Sequence, residues 1–256
     1  KKWKLNKKTM LNPPKLIGHR GVKNLSPENT LNSIELAHKL GLKWIEIDVK
    51  ISKDLDPILL HDDTLERTTD GKGLPTDFNY DDLKKLDAGF SFYNYSTNIC
   101  IPTLKQVLLF CKKNEIGLNI ELKPNLGFEK NNVEAIAKLL SNFNFTNQYY
   151  FSSFDWPSVI LMKKFLPNSY YGLLIDGFSK DISLKNTLDI CEKYKFSCCG
   201  FNKNIINSDI MNEMKRHNLI TTIYSEKNLK PSEANALWSM GVKSIFIDDP
   251  KEFKIS

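Results

Sequence analysis

No stretch of the 256-residue chain approaches the roughly 18 consecutive apolar residues that a membrane-spanning helix requires. The sequence also lacks G-x-G-x-x-G, a P-loop and G-x-S-x-G. Their absence removes the usual signatures of dinucleotide binding, P-loop phosphate chemistry and serine hydrolysis. Cysteine is scarce and odd in number: Cys100, Cys111, Cys191, Cys198 and Cys199. No C-x-x-C spacing occurs, and adjacent Cys198-Cys199 on an extended segment is a poor metal-binding arrangement. Small buried thiols are expected, which favours a reducing, cytoplasmic compartment. The chain opens on Lys1 rather than Met, so a secreted or surface-anchored form would follow if an N-terminal signal had been removed.

A body-wide excess of one charge is missing too. The net charge is +6, but five of the 36 Lys and Arg residues fall in the first eight positions (Lys1, Lys2, Lys4, Lys7, Lys8) around Trp3. Residues 1–14 therefore read as a solvated basic tail, and elsewhere Lys alternates with Glu and Asp. Nucleic acid is not an expected partner.

What is present is enough apolar material for one large domain: hydrophobic residues make up 41% of the chain and aromatics 11%. Eight short, largely apolar or β-branched runs predict strands: Leu16 to Gly18, Trp44 to Ile51, Ile116 to Leu122, Tyr149 to Ser152, Tyr170 to Ile175, Ser197 to Phe201, Leu219 to Tyr224 and Ser244 to Ile247. Helical patterns separate them: Asn29 to Leu40 with Gly41 as its stop, Thr103 to Lys113, Lys130 to Leu140, Asp155 to Phe165, Ser183 to Tyr194, Ser208 to His217 and Pro231 to Met240. Ser183 and Ser208 are the expected N-caps of their helices. Repeated strand–helix alternation over eight strands predicts an α/β fold, a (β/α)₈ TIM barrel over residues 15–256. Residues 54–101 turn polar and turn-rich, and read as an insertion between the second strand and its helix that caps the site.

Two of the four histidines end extended segments, His19 after the first strand and His61 after Ile58-Leu59-Leu60. The strand C-terminal face of such a barrel carries its chemistry, so both are candidate acid/base residues. His38, within a helix, and His217, at a helix end, read as structural. Glu46 and Asp48 lie two apart on one strand and face the same side, while Ile45, Ile47 and Val49 face the other. Glu121 repeats the pattern on the following strand, with Lys123 beside it. Three inward carboxylates are costly without a cation, and an all-oxygen set suits one Mg²⁺ or Ca²⁺ rather than zinc. Arg20 and Lys123 can take the remaining charge of a phosphate. Phosphodiester cleavage fits this inventory.

Gly18-His19-Arg20-Gly21, Pro27-Glu28-Asn29-Thr30, Trp44 to Val49, His61-Asp62-Asp63 through Thr69, Ile101 to Leu104, Ile120 to Lys123 and Ser152 to Asp155 together resemble the glycerophosphodiester phosphodiesterase family in order and spacing. The likeness runs from about Lys15 to Pro250. It implies His19 and His61 as the catalytic pair, Glu46, Asp48 and Glu121 as ligands of a divalent cation, and Arg20 and Lys123 as phosphate contacts. It further implies a small-molecule glycerophosphodiester substrate, attack by the substrate's own glycerol hydroxyl, and release of sn-glycerol 3-phosphate and an alcohol such as choline or ethanolamine. Glu28 and Asn29 are expected to shape the loop around His19. One departure stands out: where the family commonly carries Trp-Thr-Val-Asn, this chain has Thr222-Ile223-Tyr224-Ser225-Glu226. Two other readings compete. One is a lysophospholipase D- or sphingomyelinase D-like enzyme, for which Phe90, Phe92, Tyr93, Phe128 and Phe178 would form an apolar rim. The other is an inactive barrel that binds a phosphorylated ligand.

Overall fold

The computed structural model describes residues 10–254. Lys1, Lys2, Trp3, Lys4, Lys7 and Lys8 of the basic tail lie outside the described residues.

Eight parallel strands close into a barrel: β1 (Leu16–His19), β2 (Trp44–Ile51), β4 (Gly117–Leu122), β5 (Tyr149–Ser153), β6 (Tyr170–Ile175), β7 (Cys198–Asn202), β8 (Ile220–Tyr224) and β9 (Ser244–Ile247). The ring order is β1-β9-β8-β7-β6-β5-β4-β2, and β1 pairs again with β2 to complete it. Each strand alternates between two environments. Ile45, Ile47 and Val49 of β2 join Leu118, Ile120 and Leu122 of β4 in the apolar layer beneath the helices. Burial of each such side chain stabilises the fold by about 1.5–3 kcal/mol. Trp44 turns the other way, into the barrel, with Ile17, Tyr150, Cys198 and Phe246. Gly117 is needed opposite it, because a Cβ there would come within 2.2 Å of the Trp44 ring. Leu11 is buried in the same interior cluster, and the Gln148 side-chain amide donates to the Met10 carbonyl, so the last residues of the expected tail dock on the barrel.

The helices α1 (Leu31–Lys39), α4 (Leu104–Lys113), α5 (Glu129–Asn142), α6 (Trp156–Phe165), α7 (Leu184–Tyr194), α8 (Ser208–Arg216) and α9 (Pro231–Ser239) cover the barrel. Thr103 starts α4 with a capping box, Ser183 caps α7, and Gly41 leaves α1 at φ +90°. The expected cap of α8 is corrected by one residue. Asn207, not Ser208, is its N-cap and accepts from the Ile210 amide at 3.0 Å. Either side chain could serve chemically, but Asn207 holds the extended backbone a cap requires.

The region after β2 contains a ninth strand the sequence reading did not separate. β2 overhangs the barrel, and β3 (Pro57–Leu59) folds back on it antiparallel, pairing Ile51 with Pro57 and Val49 with Leu59. A 3₁₀ turn (Pro75–Asp77) and two one-turn helices, α2 (Tyr80–Leu83) and α3 (Phe90–Tyr93), follow. Ile58, Leu60, Leu65, Leu83, Ala88 and Ile101 give this region its own small apolar cluster.

Candidate active site

The register of the strands brings the candidate residues together. His19 pairs with Glu46 across β1 and β2, and Asp48 pairs with Glu121 across β2 and β4. His61 arrives differently from the sequence expectation. It follows the antiparallel return strand, and the amide of the intervening Leu60 donates to the Asp48 carbonyl, so the chain dips back to the level of the carboxylates. His19, Arg20, Glu46, His61, Glu121 and Lys123 all line one cavity of about 330 Å³. A larger cavity, about 640 Å³, opens at the strand N-terminal end between Lys15, Trp238 and Phe253, and neither histidine nor any of the three carboxylates lines it.

Both imidazoles are held by carboxylates. His19 Nδ1 lies 2.7 Å from Asp248 Oδ1, and His61 Nδ1 lies 2.6 Å from Asp62 Oδ1. Such a pairing orients the ring and favours a proton on Nδ1. His19 Nε2 is 3.8 Å from Glu46 Oε2. Burial lowers the pKa of His19, outweighing the opposing pull of Asp248. Burial likewise lowers His61, against the charge of Asp48.

Glu46, Asp48 and Glu121 are buried, and one oxygen from each lies within 4.8 Å of the others. Burial, then the charges of Asp48 and Glu121, pushes the Glu46 carboxyl well above its ordinary value. Burial and the Asp48 charge raise Glu121 to about 7. Burial would raise Asp48 as well, but Arg20, Lys123 and the Asn29 side chain hold it well below the usual carboxylate range. Glu46 Oε1 is buried with no hydrogen-bond partner. Like charges forced together around an unpartnered oxygen are the electrostatics of a cation site, and the donor set suits a hard divalent ion.

The surrounding residues aim this cluster. Asn29, at φ +56°, donates to Asp48 Oδ2 at 2.9 Å and accepts from the Asp48 amide at 3.1 Å. Arg20 Nη1 donates to Glu28 Oε1 at 2.8 Å, while its Nε lies 3.1 Å from Asp48 Oδ2, out of line for a hydrogen bond. Lys123 Nζ donates to Glu121 Oε1 at 3.0 Å. Arg67 bridges two loops, reaching Glu28 at 2.8 and 2.9 Å and Asp62 Oδ1 at 2.8 Å. Fully buried Lys50 donates to Asp63 Oδ1 at 2.9 Å and to the Lys123 carbonyl at 3.0 Å, tying the His61 loop to the end of β4.

Asp62, Arg67, Lys50 and Asp248 were not singled out from sequence. Asp62 had a signal, since it directly follows a candidate histidine. Asp248 had one only through closure: β9 pairs with β1, so the residue just past Ile247 must lie beside His19. His38 and His217 stand apart from the cavity, in α1 and at the C-cap of α8.

The glycerophosphoryl diester phosphodiesterase family model matches residues 19–252. A glycerophosphodiester phosphodiesterase of Bacillus altitudinis is 31% identical over 251 residues, covering 92% of this chain and 95% of the relative. That of Caldanaerobacter subterraneus subsp. tengcongensis is 36% identical over 159 residues, a match spanning 62% of this chain and 65% of the relative. Among solved structures, an Oleispira antarctica phosphodiesterase in complex with the product sn-glycerol-3-phosphate superposes with a TM-score of 0.85 at 29% identity, over 94% of this chain and 95% of that one. The family model spans every residue that lines the cavity, from His19 to Phe246, and the chain belongs to the glycerophosphoryl diester phosphodiesterase family.

Proposed function

We propose that this chain hydrolyses glycerophosphodiesters to sn-glycerol 3-phosphate and an alcohol. The observation that carries the reading is the convergence of two carboxylate-oriented imidazoles with Glu46 and Glu121 on one cavity, where buried Asp48 completes a three-carboxylate cluster. Product in the Oleispira antarctica relative supports the substrate class.

Glu46, Asp48 and Glu121 would hold one divalent cation, Mg²⁺ or Ca²⁺, which supplies positive charge against a phosphoryl oxygen when bound. Arg20 and Lys123 carry the rest of the phosphate charge, and Glu28 and Glu121 keep their side chains at the cavity. One imidazole takes the proton of the substrate's glycerol hydroxyl as its oxygen attacks phosphorus. The other gives a proton to the departing alkoxide as the P–O bond breaks. The roles then reverse while water opens the cyclic phosphate. Asp62 and Asp248 keep Nε2 of each ring pointed at the substrate throughout. Residues 54–101 act as the cap that delivers His61, with residues 15–256 forming the barrel unit and 1–14 its N-terminal tail.

The test is a comparison of glycerophosphocholine with lysophosphatidylcholine, following phosphorus by NMR. Hydrolysis of the first through a transient glycerol cyclic phosphate is the expected result. Activity on the second alone would replace this reading with the lysophospholipase D-like one.

A further inference from the structure

We propose that the cavity wall opposite the catalytic groups is a cation subsite, selecting glycerophosphodiesters whose alcohol carries an ammonium or quaternary ammonium over those with a neutral alcohol. The proposal rests on the phosphodiesterase reading above.

Ring order separates two walls. His19, Glu46 and Glu121 belong to β1, β2 and β4, whereas Asp176, Asn202 and Tyr224 end or follow β6, β7 and β8, across the barrel. All of them line the same cavity. The first wall brings Arg20, Lys23 and Lys123 and suits the anionic phosphate. The second brings two carboxylates, Asp176 and Glu226, with no Lys or Arg among the lining residues from β5 through β8. Among the described residues no ion pair neutralises either carboxylate. An alcohol seated there meets a negative field.

Asp176 is also held in place. Its Oδ1 accepts from Asn202 Nδ2 at 2.8 Å and from the Tyr224 hydroxyl at 2.9 Å, with the Ile175 carbonyl 3.1 Å from that hydroxyl. Both bonds use one carboxylate oxygen and leave Oδ2 for a ligand. The Asn202 amide and the Tyr224 hydroxyl together pin Asp176. Apolar surface completes the wall. Phe154 meets Tyr224 edge to face at 5.5 Å, and Leu174 lies beside them on the cavity. Lys123 sits 5.3 Å from the Phe154 ring centroid, so Phe154 divides the phosphate side from the acidic side. Fixed carboxylate plus aromatic and aliphatic surface is the chemistry that recognises a methylated ammonium.

The experiment measures kcat/KM for glycerophosphocholine and for glycerophosphoglycerol with the parent, Asp176→Asn and Tyr224→Phe. The parent should prefer the choline diester. Asp176→Asn should cut that preference about threefold, chiefly through KM, as expected for loss of one solvent-exposed charge contact. Tyr224→Phe should cut it by a smaller factor. Choline alone should inhibit competitively, and more weakly in Asp176→Asn. A preference that Asp176→Asn leaves unchanged overturns the subsite. Equal losses on both substrates also overturn it, by assigning Asp176 to the glycerol half they share. Hydrolysis of neither diester by the parent would overturn the phosphodiesterase reading. Choline binding to the parent and to Asp176→Asn, followed by calorimetry, would then decide the subsite alone.

Discussion

Each side chain at the site is fixed by a partner, so the cost of a substitution depends on which partner is removed. His19→Ala and His61→Ala delete the proposed proton-transfer groups and should lower kcat by about 10²- to 10⁴-fold, with thermal midpoints near that of the parent. Asp248→Asn and Asp62→Asn leave the imidazoles present but less well oriented, so each should lower kcat by less than the loss of its histidine. Steady-state kinetics beside a melting curve checks both. Glu28 supports a prediction about pH. Burial would raise its carboxyl, but the bonds from Arg67 and the charge of Arg20 hold it at about 2, against an ordinary 4.5. The folded state therefore binds fewer protons than the unfolded one. Stability from Glu28 is fully present above about pH 4.5 and is lost as pH falls toward 2. The melting temperature of Glu28→Gln should lie below that of the parent at pH 7, and the gap should close in acid. A gap independent of pH would show that the carboxylate charge is not what matters.

Among the elements, helix starts offer the sharpest check. Asn207→Ala removes the bond that caps α8 and should cost about 1 kcal/mol, whereas Ser208→Ala should cost only a few tenths. Equal costs by urea denaturation would contradict the assignment. Most elements were legible beforehand because period-two and helical patterns are local. Glu46 and Asp48 could be placed on one face of β2 from their spacing, and Glu121 followed from the same reasoning on β4. His61 was correctly placed at the mouth, yet for the wrong reason, since β3 runs antiparallel and carries it back down to Asp48. A three-residue strand has too short a pattern to show its direction. Lys50 was hidden for a related reason: only the overhang of β2 and the fold-back of β3 bury it. Asp248 lies 229 positions from His19, and no local pattern links the two.

At the scale of the whole molecule, the closed barrel turns eight separate strand ends into one mouth, with His19, Glu46 and Glu121 gathered on the β1, β2 and β4 side. No helix among the described residues is long and apolar enough to cross a membrane. Closure also explains why core and site are separable. Ile120, fully buried on the outer face of β4, should cost about 2–5 kcal/mol when changed to Ala while leaving KM unchanged, because its neighbour Glu121 faces the other way. In the proposed reaction, two imidazoles and a cation held by Glu46, Asp48 and Glu121 cleave a glycerophosphodiester. The most direct test is release of sn-glycerol 3-phosphate from glycerophosphocholine before chelation, after exhaustive dialysis against EDTA, and after adding back Mg²⁺ or Ca²⁺. Activity should be present, then lost, then restored in the parent, with no restoration in Glu46→Gln at the same cation concentration. Hydrolysis that persists after chelation and survives His19→Ala would show that neither the cation nor His19 takes part.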